Sequence, residues 1–194
     1  AEVDTYDAAR VLMGIHPSGF DWKLESGEEF QTPEAVMVYT DRGLNHLSQT
    51  YHKLYQKRLA RGYWRDRERP ILINNWEATY FDFTEERLVK IAKQAKESGI
   101  ELFVLDDGWF GKRTNEKAGL GDWVANPERL KNGITGLAQR IEDLGMKFGL
   151  WFEPEMVNKD SDLYREYPDW IIQTPNRRTS HGRFQYVLDF SRKE

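Results

Sequence analysis

Apolar positions change their spacing along the chain and divide it into three regions. Over the first forty residues they come in short runs broken by turn-forming residues: "ARVLMGIH", "SGF", "DWKLE", "SGE" and, after Pro33, "EAVMVYT" with Val36, Val38 and Tyr39. Such runs predict short strands, and residues 1–40 are read as the C-terminal part of a β-sandwich domain. They are too few for a whole sandwich, which takes about seven strands and ~100 residues. From Leu44 the period becomes helical, with Leu44, Leu47, Tyr51, Leu54, Tyr55 and Leu59 on one stripe, followed by the charged run "RGYWRDRERP". Residues 41–69 are therefore expected to be a linking helix and a surface connection, and Pro70 to open a further domain.

The third region, 70–194, alternates strand and helix. "PILINNW" is a short apolar strand. "TEERLVKIAKQAKESG" is a helix with Thr84 as N-cap, Glu85 and Glu86 in the first turn, Leu88, Ile91, Ala92 and Ala95 inward and Gly99 as its stop. "IELFVL" is the next strand. After a polar stretch, "ITGLAQRIEDLG" repeats the device with Ile134, Leu137, Ala138, Ile141 and Leu144 inward and Gly145 closing, and "MKFGLWF" is the third strand. A βαβαβ order with right-handed crossovers gives a parallel sheet covered on both faces. Either an open doubly wound sheet or a barrel would satisfy it. The barrel is preferred, because polar and aromatic residues gather after three successive strands, where barrel enzymes build their sites. A dinucleotide fold would place a Gly-rich turn after its first strand, and "INNWEATYF" has none. The fold class read from the sequence is thus α/β, the first strands of a (β/α)8 TIM-type barrel preceded by the end of a β-sandwich. A barrel takes ~250 residues, so residues 70–194 supply only its first part.

Composition narrows the partner. Lys and Arg number 28 against 32 Asp and Glu, a formal charge of −4, which favours neither nucleic acid nor an anionic membrane and points to a neutral small molecule. Seven Trp and nine Tyr supply flat amphipathic surfaces. The absence of Cys excludes disulfides, thiolate metal sites and Cys nucleophiles, and leans toward a reducing, cytoplasmic setting. "AEVDTYDAARVL" has neither the basic start nor the apolar run of a signal peptide, and no stretch approaches the ~20 apolar residues of a membrane span. The four His, at 16, 46, 52 and 181, show no metal-ligand spacing, so no metal is expected.

Candidate chemistry lies at the strand ends. In "NNWEATYF", Trp76 is either a plug at the barrel top or a stacking platform for a pyranose ring. In "LFVLDDGWFG", Asp106 and Asp107 need donors, because an unpaired buried carboxylate costs several kcal/mol. Sugar hydroxyls supply such donors, and the wrong epimer would leave an acceptor unpaired. In "LWFEPEMVN", Trp151 is a second aromatic wall, Phe152 is core or wall, and Glu153 with Glu155 are a candidate acid and base. Asp106 with Glu153 is also a candidate two-carboxylate glycosidase pair. In "HGRFQYVLDFS", a strand-like run, Arg183 either pairs an acid or donates to a ligand oxygen.

"RPILINNWEATYFDF", "ELFVLDDGWFGKR", "LGDW", "KFGLWFEPEMVN" and "FQTPEAVMVYTDRGLN" together resemble the bacterial α-galactosidases of glycoside hydrolase family thirty-six. The resemblance runs the full chain. It implies a retaining hydrolase of terminal α-linked galactose in melibiose- and raffinose-type sugars, needing no cofactor, and often assembled as a homo-tetramer. It also implies that Trp76 walls the galactose pocket, that Asp106 and Asp107 grip the hydroxyls at O4 and O6, and that Trp151 and Arg183 are further pocket residues. The family's nucleophile is an Asp in a "K-W-D-M-N-R"-like segment on the fourth strand and its acid/base an Asp near the sixth. Neither segment occurs here, so both catalytic groups are expected beyond Glu194, and the isolated chain is expected to be inactive. A complete small glycosidase, a non-catalytic carbohydrate-binding half-barrel, an α-N-acetylgalactosaminidase and a galactosyl transferase remain as alternatives.

Overall fold

The computed structural model describes residues 1–18, 20–179 and 181–193 and divides the chain into two compact units, Ala1–Glu68 and Arg69–Glu194. In the first unit, β1 (Glu2–Val3) pairs antiparallel with β2 (Ala9–Arg10), Glu2 opposite Arg10. The Asp4 carboxylate accepts from the backbone N–H groups of Tyr6 and Ala8 and forms the intervening turn. The other expected strands differ: "DWKLE" and "EAVMVYT" run without a ladder among the described residues. A strand needs a partner for its backbone groups, and sequence alternation does not provide one. α1 (Gly43–Leu54) forms where the helical stripe was read and continues through a π-helical turn, Tyr55–Leu59. Its apolar stripe is not buried, with Leu44 and Leu59 both exposed.

In the second unit, β3 (Leu72–Asn74), β4 (Leu102–Leu105) and β5 (Lys147–Leu150) form a parallel sheet in that order. α2 (Trp76–Thr79) is a single turn directly after β3, α3 (Glu85–Glu97) leads to β4, and α4 (Gly133–Glu142) leads to β5. This part is α/β. α3 starts as its sequence dictates: the Thr84 hydroxyl accepts from the Arg87 N–H at 3.3 Å, and Gly99, at φ 87°, takes the left-handed turn that ends it. Leu88, Ala92 and Ala95 of α3 and Leu137 and Ile141 of α4 are buried with Phe103 and Leu105 of β4. The alternation in β4 sends those two residues to the covered face. β6 (Met156–Asn158) pairs with β8 (Gln185–Val187), which also pairs with β7 (His181–Gly182), all antiparallel. Between them α5 (Asp162–Glu166) is capped by Ser161, whose hydroxyl accepts from the Tyr164 N–H. No helix among the described residues is long and apolar enough to cross a membrane.

Glu85 is more than a dipole-favoured charge in a first turn. It is fully buried, and its carboxylate accepts from Asn132 Nδ2 at 2.8 Å, the Asn132 N–H at 3.1 Å and Arg140 Nη1 at 2.6 Å, tying α3 to the start of α4. Burial pushes its pKa up, but the Asn132 and Arg140 bonds outweigh burial and hold it below the ordinary Glu value. A lowered folded pKa gives stability that is present above the unfolded pKa and lost as pH falls through the folded one. Glu85→Gln is therefore expected to cost about 1–3 kcal/mol at neutral pH, with the difference from wild type shrinking on acidification. Thermal unfolding of both proteins across pH checks this.

Candidate functional site

The sheet register sets the site. Asn74 lies opposite Val104, and Leu105 opposite Leu150. Continuing those pairings past the strand ends brings Trp76, Asp106 and Trp151 to one level at the C-terminal edge. There an open cleft of about 380 Å³ is lined by Trp76, Asp106, Asp107, Trp151, Phe152, Glu153, Glu155 and Arg183. All five residues singled out as sugar-binding candidates stand around it. Phe152, read equally as core, is 48% exposed and lines the cleft instead. A smaller hollow of about 140 Å³ beside Trp170 and Phe190 has no such convergence of polar groups, and its Arg192 is engaged by Asp169.

Two consecutive asparagines build the first wall. Buried Asn75 donates from Nδ2 to Thr79 Oγ1 and accepts the Asp106 N–H on Oδ1, both at 2.8 Å, which fixes the turn after β3 against the end of β4. Asn74 accepts the Trp76 N–H at 3.1 Å and donates to Asp106 Oδ2 at 2.8 Å. The Trp76 indole stands edge-on to Tyr80 and Phe81, with centroids 5.2 and 5.1 Å away. Gly108 follows the two acids at φ 97°, and a Cβ there would meet Arg129 Nη1 at 2.8 Å and the Phe81 ring at 3.0 Å. Only Gly lets the chain turn this closely over its neighbours.

The two acids are held differently. Asp106 accepts from Asn74 and, on Oδ1, from the Asp107 N–H at 2.7 Å. Burial raises its pKa above the ordinary Asp value, and the charges of Asp107 and Glu77 add to that against the opposing N–H bond. Asp107 forms a buried fork with Arg113, Nε to Oδ1 at 2.9 Å and Nη2 to Oδ2 at 2.7 Å. The carboxylates thus have donors inside the protein, whereas the sequence reading looked to sugar hydroxyls for them. Free lone pairs remain on each, since an ionised carboxylate offers about four acceptor sites.

Glu153 accepts from Arg183 Nη2 at 3.2 Å, and the same nitrogen donates to Gln185 Oε1 at 3.3 Å. Burial raises the Glu153 pKa, with the Arg183 charge pulling the other way and Glu155 adding to the rise. Behind the cleft, buried Trp109 donates from Nε1 to the Trp151 carbonyl at 3.1 Å and meets Phe152 at 5.2 Å. Trp123 packs on Phe110 at 4.3 Å and on Phe152 at 5.0 Å. No group of three or more His, Cys, Asp and Glu is arranged to hold a metal ion among the described residues.

A family model described as melibiase matches residues 29–194. The chain belongs to the melibiase family. It is 62% identical over 193 residues to α-galactosidase AgaA of Geobacillus stearothermophilus, covering all of this chain and 26% of AgaA. It is 49% identical to α-galactosidase Mel36A of Lactobacillus acidophilus, with the same coverage. The crystal structure of AgaA superposes with a TM-score of 0.92 over 99% of this chain and 27% of that one. A variant of AgaA in complex with stachyose superposes with a TM-score of 0.91 at the same coverage. The chain spans about a quarter of the length of the curated relatives it matches.

Within this melibiase chain, sequence reasoning left out the residues that hold the cleft in shape. Arg113 and Trp123 sat in quoted motifs without a role, and Trp109 was only the Trp after a Gly. Asn158 likewise closes the motif "LWFEPEMVN" without a role. The available signal was Arg113, a cation seven residues after Asp106 and six after Asp107, close enough for a loop to fold back on the acids.

Proposed function

We propose that this chain is the galactose-gripping part of a retaining α-galactosidase that hydrolyses terminal α-linked galactose from melibiose- and raffinose-type oligosaccharides. One observation carries the reading: two indoles, four carboxylates and a guanidinium converge on one open cleft at the C-terminal ends of three successive parallel strands. Such a cleft suits a neutral ring with an apolar face and hydroxyl edges. Trp76 and Trp151 are the apolar walls, Asp106 and Asp107 accept from hydroxyls, and Arg183 donates. AgaA variants bound to stachyose and raffinose support the substrate class. We further read 70–194 as the first part of a (β/α)8 barrel, 41–69 as its connection and 1–40 as the end of a β-sandwich. The site's position at the C-terminal strand ends supports the barrel.

The chain's own residues bind and orient. The nucleophile and acid/base are placed elsewhere in the full-length protein, because no "K-W-D-M-N-R"-like segment occurs in this sequence. A retaining mechanism needs two such carboxyls about 5–5.5 Å apart, one attacking the anomeric carbon and the other protonating the leaving oxygen. The family resemblance supports a cofactor-free homo-tetramer, and the absence of Cys a reducing, cytoplasmic setting. The test is release of p-nitrophenol from its α-galactoside by the full-length protein, with D-galactose and D-glucose titrated in parallel. Turnover with galactose bound more tightly than glucose is expected; equal binding of the two sugars would overturn the clamp.

A second reading rests on Glu153, whose raised pKa is what a general acid requires. If Glu153 served that role, Glu153→Gln would remove turnover while leaving galactose affinity intact. The binding reading expects weaker affinity instead, because the neutral amide no longer supplies the charge that anchors Arg183.

The titration of Asp106 supplies a further prediction. Its raised pKa means that the acid gains its proton at a higher pH than a free Asp does. Galactose affinity should weaken as pH falls, beginning above the ordinary Asp range, because the protonated acid is a poorer acceptor. Calorimetric titration between about pH 4 and 7 checks the direction.

A further inference from the structure

Arg183 reaches the cleft from a backbone that resists its own sequence. β7 and β8 pair His181 with Tyr186 and Gly182 with Gln185, which leaves Arg183 and Phe184 as a two-residue turn. Both have positive φ, 48° and 65°, the pattern of a type I′ turn that ordinarily calls for Asn-Gly. Neither residue suits this conformation, so something must hold it.

The holder is Asn158, at the end of β6, fully buried and not among the residues lining the cleft. Its Nδ2 donates to the Phe184 carbonyl at 3.0 Å and to the Glu116 carbonyl at 3.2 Å. Its Oδ1 accepts from Arg113 Nη1 at 2.9 Å and from the Leu120 N–H at 3.0 Å. All four hydrogen-bonding positions of the amide are used. Arg113 is the residue that forks onto Asp107. One side chain therefore links one of the cleft's acids to the turn that carries its guanidinium. The loop at Glu116 closes the same knot from outside, with Lys117 lying 4.8 Å over the Phe184 ring.

We infer that Asn158 is a positioning residue for the galactose site: through Arg113 and the Phe184 carbonyl it fixes the distance between Asp107 and Arg183. The inference rests on the galactose reading above. In the full-length protein, Asn158→Asp keeps the side-chain shape and both acceptor contacts but sets a carboxylate oxygen against the Phe184 and Glu116 carbonyls in place of the two donors, so the turn is released. It should raise the dissociation constant for D-galactose at least about tenfold, since losing the Phe184 tether alone is worth about one hydrogen bond. In a Phe184→Gly background the turn is at ease without its tether. There N158D should change galactose affinity by less than about threefold, a coupling that a merely structural role would not produce.

Calorimetric titration of D-galactose into wild type, N158D, F184G and the double variant reads this directly. A lowered unfolding temperature with unchanged affinity in N158D would overturn the inference, as would an equal loss in both backgrounds. Should N158D fail to fold, Phe184→Val makes the same claim from a half-exposed position. A β-branched residue at φ 65° should weaken galactose binding with the circular dichroism spectrum unchanged, and an unchanged affinity would overturn the proposal. Wild type that binds no galactose would sink the galactose reading itself, which separates that failure from failure of the tether alone.

Discussion

Asp106→Ala in the full-length protein should lower kcat/KM toward α-galactosides by about 10²- to 10³-fold, because a carboxylate accepting two hydroxyls contributes about 1.5–3 kcal/mol per bond. The expectation follows from place and partners. Asp106 sits at the level of both indoles, and its two oxygens are oriented by Asn74 and by the Asp107 N–H. Asp106→Asn separates binding loss from misfolding. The acid's pKa is raised on folding, so the folded chain holds its proton more tightly than the unfolded one. Its stabilising contribution is then complete below the unfolded pKa and is lost as pH rises through the folded value. At neutral pH the ionised group costs stability; a neutral amide removes that cost but turns its NH2 toward Asn74 Nδ2 or the Asp107 N–H, both donors, so the two effects oppose each other. Activity should fall strongly while the unfolding temperature changes little, the trade-off of a site built for binding. A fall in both would show that Asp106 serves the fold.

Arg113→Met should have the largest effect on stability, about 3–5 kcal/mol, because it leaves the Asp107 charge buried without its partner. The side chains of Arg113 and Asp107 are only 2% and 9% exposed, and Arg113 also reaches Asn158 Oδ1 and the Ala118 carbonyl. Removing the guanidinium thus leaves one carboxylate, one amide oxygen and one carbonyl short of a donor. Arg113→Lys keeps the charge but not the fork, and should recover only part of the loss. The unfolding temperature of the three proteins measures the difference. An Arg113→Met protein as stable as wild type would mean that water satisfies Asp107, and that the fork is dispensable.

Much of the second unit was legible in the order of residues. The period of 3.6 in α3 and α4, the Thr84 cap and the stop at Gly99 are local properties, decided by residues within a few positions of each other. The same holds for the three strands and for the acids and aromatics that follow them. The first unit was less legible. Its apolar runs have the composition of strands, but a ladder requires a neighbour, and among the described residues only Glu2–Val3 and Ala9–Arg10 have found one there.

Sequence alone therefore determined α3, α4 and the three parallel strands, and put Trp76, Asp106, Asp107 and Trp151 directly after those strands. Tertiary structure decided which of them are free to meet a ligand and which are already engaged. Arg113 lies six residues from Asp107 in the chain and Asn158 another 45 residues on, yet they form one buried network. Hydrogen-bond partners across such separations depend on sheet register and loop closure, which no local pattern encodes. The carboxylate pair in "LDDG" is visible in any reading of the sequence; that one acid is held by a guanidinium and the other by an amide and a backbone N–H, while both line the cleft, follows only from the folded chain.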